Sequence, residues 1–192
     1  MLRVAVDIDE VLCPMLQNLR AHHRLRTRRA LPTRSPKKYD YADHLGITPN
    51  ESKLLVKSFY SGVCCNSMEP LEGSQEALRK LKQKYKLSIV TGRQKYASSK
   101  RATYNFLDDY FHDVFDSIHF ANSYSLIGDE VPKATICKDI HASILIDDSI
   151  ANCKEASDAG IQGVLFGEYS WNEDAPEHMA RINNWLDYEH YL

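Results

Sequence analysis

No apolar stretch in this chain approaches the ~18 to 20 residues that a membrane-spanning helix needs. Charge of one sign is also missing: 24 basic residues stand against 26 acidic ones. Nothing in that balance announces a nucleic acid or a membrane as partner, and any electrostatic recognition has to be local. Cysteine is scarce and poorly spaced for structural use. The five cysteines are odd in number, Cys64 and Cys65 are adjacent, and none forms a C-x-x-C pair, which argues against a disulfide framework or a zinc site. They read as reduced thiols of an intracellular protein. A strand signal beginning at Leu2 leaves no room for a signal peptide, so the cytoplasm is the expected compartment. The sequence holds no internal repeat and no low-complexity segment. What is present is a 192-residue chain, 43% hydrophobic, of a size that suits one α/β domain with an insertion.

The chain opens on Arg3-Val-Ala-Val-Asp7-Ile-Asp9, a β-branched apolar run that stops at two alternate aspartates. It reads as a buried strand with charge at its carboxyl end, where open α/β sheets place their chemistry. From 14 to 68 no further buried-strand run occurs. Leu16, Leu19 and Leu25 mark a helix extending to about Arg29, and a basic, proline-punctuated segment reaches Lys38. Thr48, Pro49 and Glu51 then form a capping box for a helix that ends near Gly62. Strands and helices alternate beyond Pro70. Strands are expected at 87–90, 117–120, 143–146 and 163–166, with helices from Ser74, over about 95–108, 133–140 and 150–159, and finally near 176–186 with Met179, Ile182 and Leu186 in register. The expectation is a doubly wound, three-layer parallel α/β sheet made of 1–13 and 69–192, with a small helical cap inserted over 14–68.

Polar groups gather at four strand ends: Asp7 and Asp9; Thr91, Gly92 and Arg93; Asn122; Asp147 and Asp148. In a parallel sheet these share one edge. Paired carboxylates repel and resist desolvation, so they require a cation, a shared proton or a reaction. Aspartates from the first and fourth of these strands, if the strands are neighbours, form an all-oxygen cage suited to Mg²⁺. Thr91 offers a hydroxyl to a phosphate oxygen. Lys133, after Pro132 and at a helix start, offers a cation beside the positive end of the dipole. Lys138 lies about 7 to 8 Å further along that helix at 1.5 Å per residue, which favours Lys133.

Taken together, Asp7-Ile-Asp9, Thr91, Lys133 or Lys138, and Asp147-Asp148 resemble the four motifs of the haloacid dehalogenase superfamily of phosphohydrolases, in order across essentially the whole chain. The runs beginning at Asp7, Pro70, Val90 and Leu145 look most like the type C 5′-nucleotidase and 5′(3′)-deoxyribonucleotidase branch, which carries a small helical cap after the first motif. Glu10 departs from the pattern, since many members have Gly there, which bears on the turn toward the cap. The resemblance implies a Rossmann-like core and a Mg²⁺-dependent phosphatase. Asp7 is then the nucleophile that forms an aspartyl-phosphate, Asp9 the general acid and base, and Lys133 the partner of Asp7 and the phosphoryl group. Thr91, Gly92 and Lys133 would bind phosphate. The metal would be held by Asp7, the Asp9 carbonyl and Asp148 or Asp147. Asp9 favours phosphate over halide chemistry, because a dehalogenase has no leaving alkoxide to protonate.

Specificity is expected from the insertion. Tyr39, Tyr41, Phe59 and Tyr60 could stack on a base, and His22, His23, Arg24 or Lys57 could meet polar groups; Arg93 and Asn122 are further candidate substrate contacts. Helix aromatics are more often core, and a basic run is more often a solvated face. A nucleotide is implied by the resemblance alone. The alternatives are a sugar phosphate or another small metabolite and, from a different class, an idle site on a module whose basic stretch from Arg20 to Lys38 binds nucleic acid or protein. Intact motifs weigh against that last reading. A two-component receiver domain also uses aspartates and a lysine, but its phosphoacceptor follows an interior strand.

Overall fold

The structure is a computed structural model that describes residues 1–123 and 128–190. Among the described residues six strands form one sheet: β1 (Arg3–Val6), β2 (Lys86–Thr91), β3 (Ser117–Phe120), β4 (Ile144–Asp147), β5 (Gln162–Phe166) and β6 (Arg181–Ile182). Their spatial order is β3-β2-β1-β4-β5-β6, and every pairing is parallel. Strand order reverses beside β1, the crevice where doubly wound sheets bind ligands. The helices are α1 (Met15–Thr27), α2 (Tyr41–Leu45), α3 (Pro49–Ser61), α4 (Ser74–Leu81), α5 (Ala97–Phe111), α6 (Lys133–Asp139) and α7 (Ile150–Asp158).

Alternation along the strands sorts the core into two layers. Val4, Val6, Leu87, Ile89, Ile144 and Ile146 face a large cluster shared with α4, α5 and residues 14–68. Ala5, Val90 and Leu145 point the other way, with small partners such as Ala121 and Ala156 that let α6 and α7 lie close. The tightest approach is at Gly163, where a Cβ would stand 2.3 Å from the Cys153 carbonyl oxygen of α7. Residues 14–68 supply α1, α2, α3 and a 3₁₀ turn at Cys64–Ser67, and contribute no strand. The capping box at Thr48 is formed as its sequence dictates.

Two elements differ from the sequence expectation. Over 176–186 there is no helix. Arg181–Ile182 instead runs parallel to β5, with Ala180 and Ile182 carbonyls accepting the Leu165 and Gly167 N–H groups. Closing that sheet edge satisfies backbone groups that a helix would have left open, and the following Asn183-Asn184 pair is a poor helix former. Trp185, rather than Leu186, is the anchor: its indole N–H donates to the Val11 carbonyl at 2.7 Å, while Leu186 is exposed. The second difference is α2, which sequence periodicity did not signal. It starts because Asp40 accepts the Ala42 and Asp43 N–H groups at 2.7 and 3.2 Å. All five cysteines are free thiols.

Candidate active site

The register of β1 against β4 puts Asp7 next to the end of β4, because Val6 pairs with Ile146 and the Asp7 N–H donates to the Ile146 carbonyl. Asp7, Asp147 and Asp148 therefore converge, with one carboxylate oxygen from each lying within 4.8 Å of the others. All three are buried. Lys133, the first residue of α6, reaches into this cluster and donates from Nζ to Asp7 Oδ2 and Asp147 Oδ2, both at 2.7 Å. Lys138 lies on the exposed side of the same helix, away from the strand ends.

The two late aspartates are engaged differently. Asp147 is saturated: Oδ2 accepts Lys133, and Oδ1 accepts the Ser149 N–H at 3.0 Å and the Asn152 side-chain amide at 2.9 Å. Asp148 faces the cavity, and its Oδ2 accepts the indole N–H of Trp171 at 2.8 Å. Asp7 Oδ1 is buried without a hydrogen-bond partner among the described residues. Burial raises the Asp7 carboxyl to about 7, against the lowering effect of Lys133 and with a further push from Asp147 and Asp9. Burial and the neighbouring carboxylates push Asp148 up as well. Burial disfavours the Lys133 charge, yet Asp147 and Asp7 hold it firmly protonated. An orphaned carboxylate oxygen in an all-oxygen donor set fits a hard divalent cation such as Mg²⁺.

A cavity of about 810 Å³ opens over these groups and is lined by Asp7, Asp9, Lys133 and Asp148 below and by Tyr39, Tyr41 and Tyr60 of the insertion above. Its volume lies within the range of small-molecule sites. Phe59 is outside the wall: it is fully buried at an edge-on contact with His22 and belongs to the core of the insertion. His22, His23, Arg24 and Lys57 do not line the cavity among the described residues; His22 bonds Ser58, and Lys57 sits over the Tyr96 ring.

The second strand end has an internal task. Thr91 is fully buried, and its hydroxyl accepts the Arg93 N–H at 3.3 Å, so Gly92 and Arg93 rather than Thr91 form the wall. The Arg93 guanidinium turns onto Asp9, donating from Nε at 3.0 Å and Nη2 at 2.7 Å to Oδ1. Asn122 adopts the left-handed backbone region, accepts the Lys95 N–H at 3.0 Å and donates to the Asp129 carbonyl at 3.2 Å, bracing two loops at the cavity rim.

Glu10 explains the Gly common at its position in the resembling sequences. Its φ is +61°, a conformation that strains any residue with a Cβ by about 1–2 kcal/mol. The side chain offsets this by capping α1: Oε1 accepts the Leu16 N–H at 2.6 Å. Tyr169 donates its hydroxyl to the Glu10 carbonyl at 2.6 Å and stacks flat on Trp171, with centroids 4.4 Å apart. Sequence reasoning missed Trp171, Tyr169 and Asn152. The only signal for Trp171 was its place just beyond the carboxyl end of the last expected strand.

No helix of the described residues is long and apolar enough to cross a membrane. Comparison with curated proteins finds no sequence that matches. Solved structures match over nearly the whole chain at low identity. A haloacid dehalogenase-like hydrolase from Streptococcus pneumoniae shares 16% identity with a TM-score of 0.67, covering 100% of this chain and 98% of that one. A subfamily IA hydrolase of the same superfamily from Geobacter sulfurreducens shares 18% at 0.62, covering all of both chains. The D,D-heptose 1.7-bisphosphate phosphatase from B. bronchiseptica, complexed with magnesium and phosphate, shares 14% at 0.58, covering 99% and 97%. These likenesses establish the fold. The family model described as "5' nucleotidase, deoxy (Pyrimidine), cytosolic type C protein" matches residues 1–192, so the chain belongs to that family of haloacid dehalogenase-type hydrolases acting on phosphoric monoesters.

Proposed function

We propose that this hydrolase works through an aspartyl-phosphate on Asp7, with Mg²⁺ as cofactor, a nucleoside monophosphate as substrate, and residues 14–68 as a cap over the cavity. The observation that carries the reading is the buried bridge from Lys133 Nζ to Asp7 Oδ2 and Asp147 Oδ2, with Asp7 Oδ1 left without a partner among the described residues. A lysine so held is a fixed positive charge beside the carboxylate that must meet a dianionic phosphoryl group.

Asp7 forms a bond to phosphorus, the bond from phosphorus to the leaving oxygen breaks, and Asp9 gives that oxygen its proton. Water then attacks the phosphorus of the aspartyl-phosphate, Asp9 takes a proton from that water, and release of inorganic phosphate restores the Asp7 carboxylate. Lys133 holds Asp7 in place and offsets phosphoryl charge throughout. Mg²⁺, when bound by Asp7, the Asp9 carbonyl and Asp148, supplies charge neutralisation between the carboxylates and the phosphate. Asp148 suits that task better than Asp147, whose oxygens are already committed to Lys133, Ser149 and Asn152. The bound magnesium and phosphate of the B. bronchiseptica phosphatase are in keeping with this assignment.

Two features support a nucleotide: the description of the family, and an aromatic wall above the catalytic floor. Tyr39 is the half-buried member of that wall and packs against Trp171 with ring centroids 5.2 Å apart, whereas Tyr60 is almost wholly buried. Tyr39 is therefore the ring best placed to meet a base. The test is a panel of nucleoside mono-, sugar and small metabolite phosphates assayed with Mg²⁺. Preferred turnover of nucleoside monophosphates is the expected result; a preference for sugar phosphates would remove the nucleotide and leave the chemistry.

A further inference from the structure

The Arg93–Asp9 pair is lopsided. A guanidinium presented through two N–H groups ordinarily matches both oxygens of a carboxylate. Here Nε and Nη2 both donate to Asp9 Oδ1, and the Cys13 thiol approaches the same atom at 3.7 Å. Oδ2 receives no hydrogen bond from the described residues. Asp9 lines the cavity with 13% of its side chain exposed, while the Arg93 side chain is 0% exposed.

Arg93 is itself rigidly held. Nη1 donates to Thr103 Oγ1 at 3.1 Å, and that hydroxyl donates in turn to the Ser99 carbonyl at 2.9 Å, tying the guanidinium to α5. Tyr60 of α3 and Phe106 of α5 lie 5.4 and 5.9 Å from its central carbon, and Met68 Sδ is 3.7 Å from Nη2. A buried cation carries a large desolvation cost, and a single carboxylate oxygen is a narrow return if stability alone were served. The side chain does fix one torsional state of Asp9: with Oδ1 pinned, the position of Oδ2 on the cavity wall is determined.

We propose that Arg93 is a positioning residue for the reaction, pinning Oδ1 of Asp9 so that Oδ2 is the oxygen that exchanges a proton with the leaving group. This rests on the acid–base role proposed above for Asp9. A misplacement of the donor oxygen by 1 Å is enough to lose most of its effect. The loss must fall on esters that need the proton, those of alkyl alcohols, and spare esters whose leaving group departs unaided, such as 4-nitrophenyl phosphate.

The test compares kcat/KM for an alkyl phosphate and for 4-nitrophenyl phosphate in the wild type, Asp9→Asn, Arg93→Met and Arg93→Lys, each with saturating Mg²⁺. Asp9→Asn and Arg93→Met are both expected to lose at least about tenfold more on the alkyl ester than on the nitrophenyl ester. Arg93→Lys keeps the charge but presents its N–H donors from a single nitrogen and cannot reproduce the two-nitrogen hold on Oδ1, so it is expected to show the same bias in weaker form; being the milder change, it keeps the question answerable if Arg93→Met fails to fold. Combining Asp9→Asn with Arg93→Lys should add nothing to the bias of Asp9→Asn. If Asp9→Asn is biased and the folded Arg93 variants lose equally on both esters, Arg93 is a structural residue and the inference is overturned while the reaction stands. If Asp9→Asn itself shows no bias, the acid–base assignment of Asp9 falls, and this inference with it.

Discussion

Trp171 donates its indole N–H to Oδ2 of Asp148 at 2.8 Å, so a residue from the loop after β5 fixes the orientation of a carboxylate at the end of β4. Asp148 is the metal ligand proposed above, and partners one step removed from such a ligand typically change metal affinity by about 10–100-fold when lost. Trp171→Phe keeps a ring against Tyr169 and removes only the donor. The Mg²⁺ concentration for half-maximal activity should rise by roughly tenfold or more, with kcat at saturating Mg²⁺ close to wild type. An unchanged Mg²⁺ dependence would mean that Asp148 is oriented by its backbone alone.

Lys133 and Lys138 sit on the same short helix with opposite surroundings, one buried between two carboxylates and the other exposed. Lys133→Ala should lower kcat by about 10²-fold or more, the scale for losing one preorganised charged contact to the reacting group. It should also lower Tm, because Asp7 and Asp147 are left buried without their cation. Lys138→Ala should leave both quantities near wild type. Measuring kcat and Tm for the two variants side by side decides the matter, and a large kcat loss confined to Lys138→Ala would overturn the assignment.

Asp7→Ala should abolish turnover of every phosphomonoester, since it removes both the proposed attacking oxygen and a proposed metal ligand. EDTA should stop the wild-type reaction, and Mg²⁺ should restore it where Ca²⁺ does not. The larger ion accepts more ligands at longer distances, which lets a carboxylate bind through both oxygens and blunts it as a nucleophile. Phosphate release by Asp7→Ala, or full activity in Ca²⁺, would count against this geometry.

Much of the site was legible because it hangs on strand ends. A buried parallel strand announces itself by a β-branched run, and its carboxyl end by the first charged residue, so Asp7, Asp147 and the turn after Thr91 could be placed on one edge from spacing alone. Strand order was not legible: that β1 lies between β2 and β4 depends on long-range pairing, and only this order brings Asp7 beside Asp148. That Asp147 is committed within the protein also escaped, since its partners Lys133, Ser149 and Asn152 are set by the fold. The expected helix over 176–186 failed for a related reason. Its apolar spacing was compatible with a helix, but an open edge of β5 captured Arg181–Ile182 instead. The surroundings of Arg93 were not legible either: Tyr60 and Phe106, which pack against its guanidinium, come from distant parts of the sequence.

Phe59 and Tyr39 separate packing from recognition within the insertion. Phe59→Leu should lower Tm and change kcat/KM for a nucleotide and for 4-nitrophenyl phosphate by the same factor, since the ring is fully buried. Tyr39→Ala should weaken kcat/KM for the nucleotide severalfold more than for the aryl ester. Equal losses for Tyr39→Ala would remove it from base recognition.

Glu10 supplies a pH signature in stability rather than in rate. The residue is 5% exposed, and burial is the main influence that raises its carboxyl to about 8, against the Leu16 N–H, which favours the charged form. In the unfolded chain the same group ionises near 4.5, its ordinary value. Between those two values the folded protein keeps a proton that the unfolded chain has lost, so stability falls as pH rises through the window and stops falling once the folded group ionises too. Glu10→Gln retains an oxygen to accept the Leu16 N–H and cannot ionise. In EDTA, the variant should therefore gain Tm on the wild type steadily from pH 5 to pH 8, having little or no advantage at the acid end. A Tm difference that stays flat across that range would show that the Glu10 carboxyl ionises in the folded protein as it does in the unfolded one.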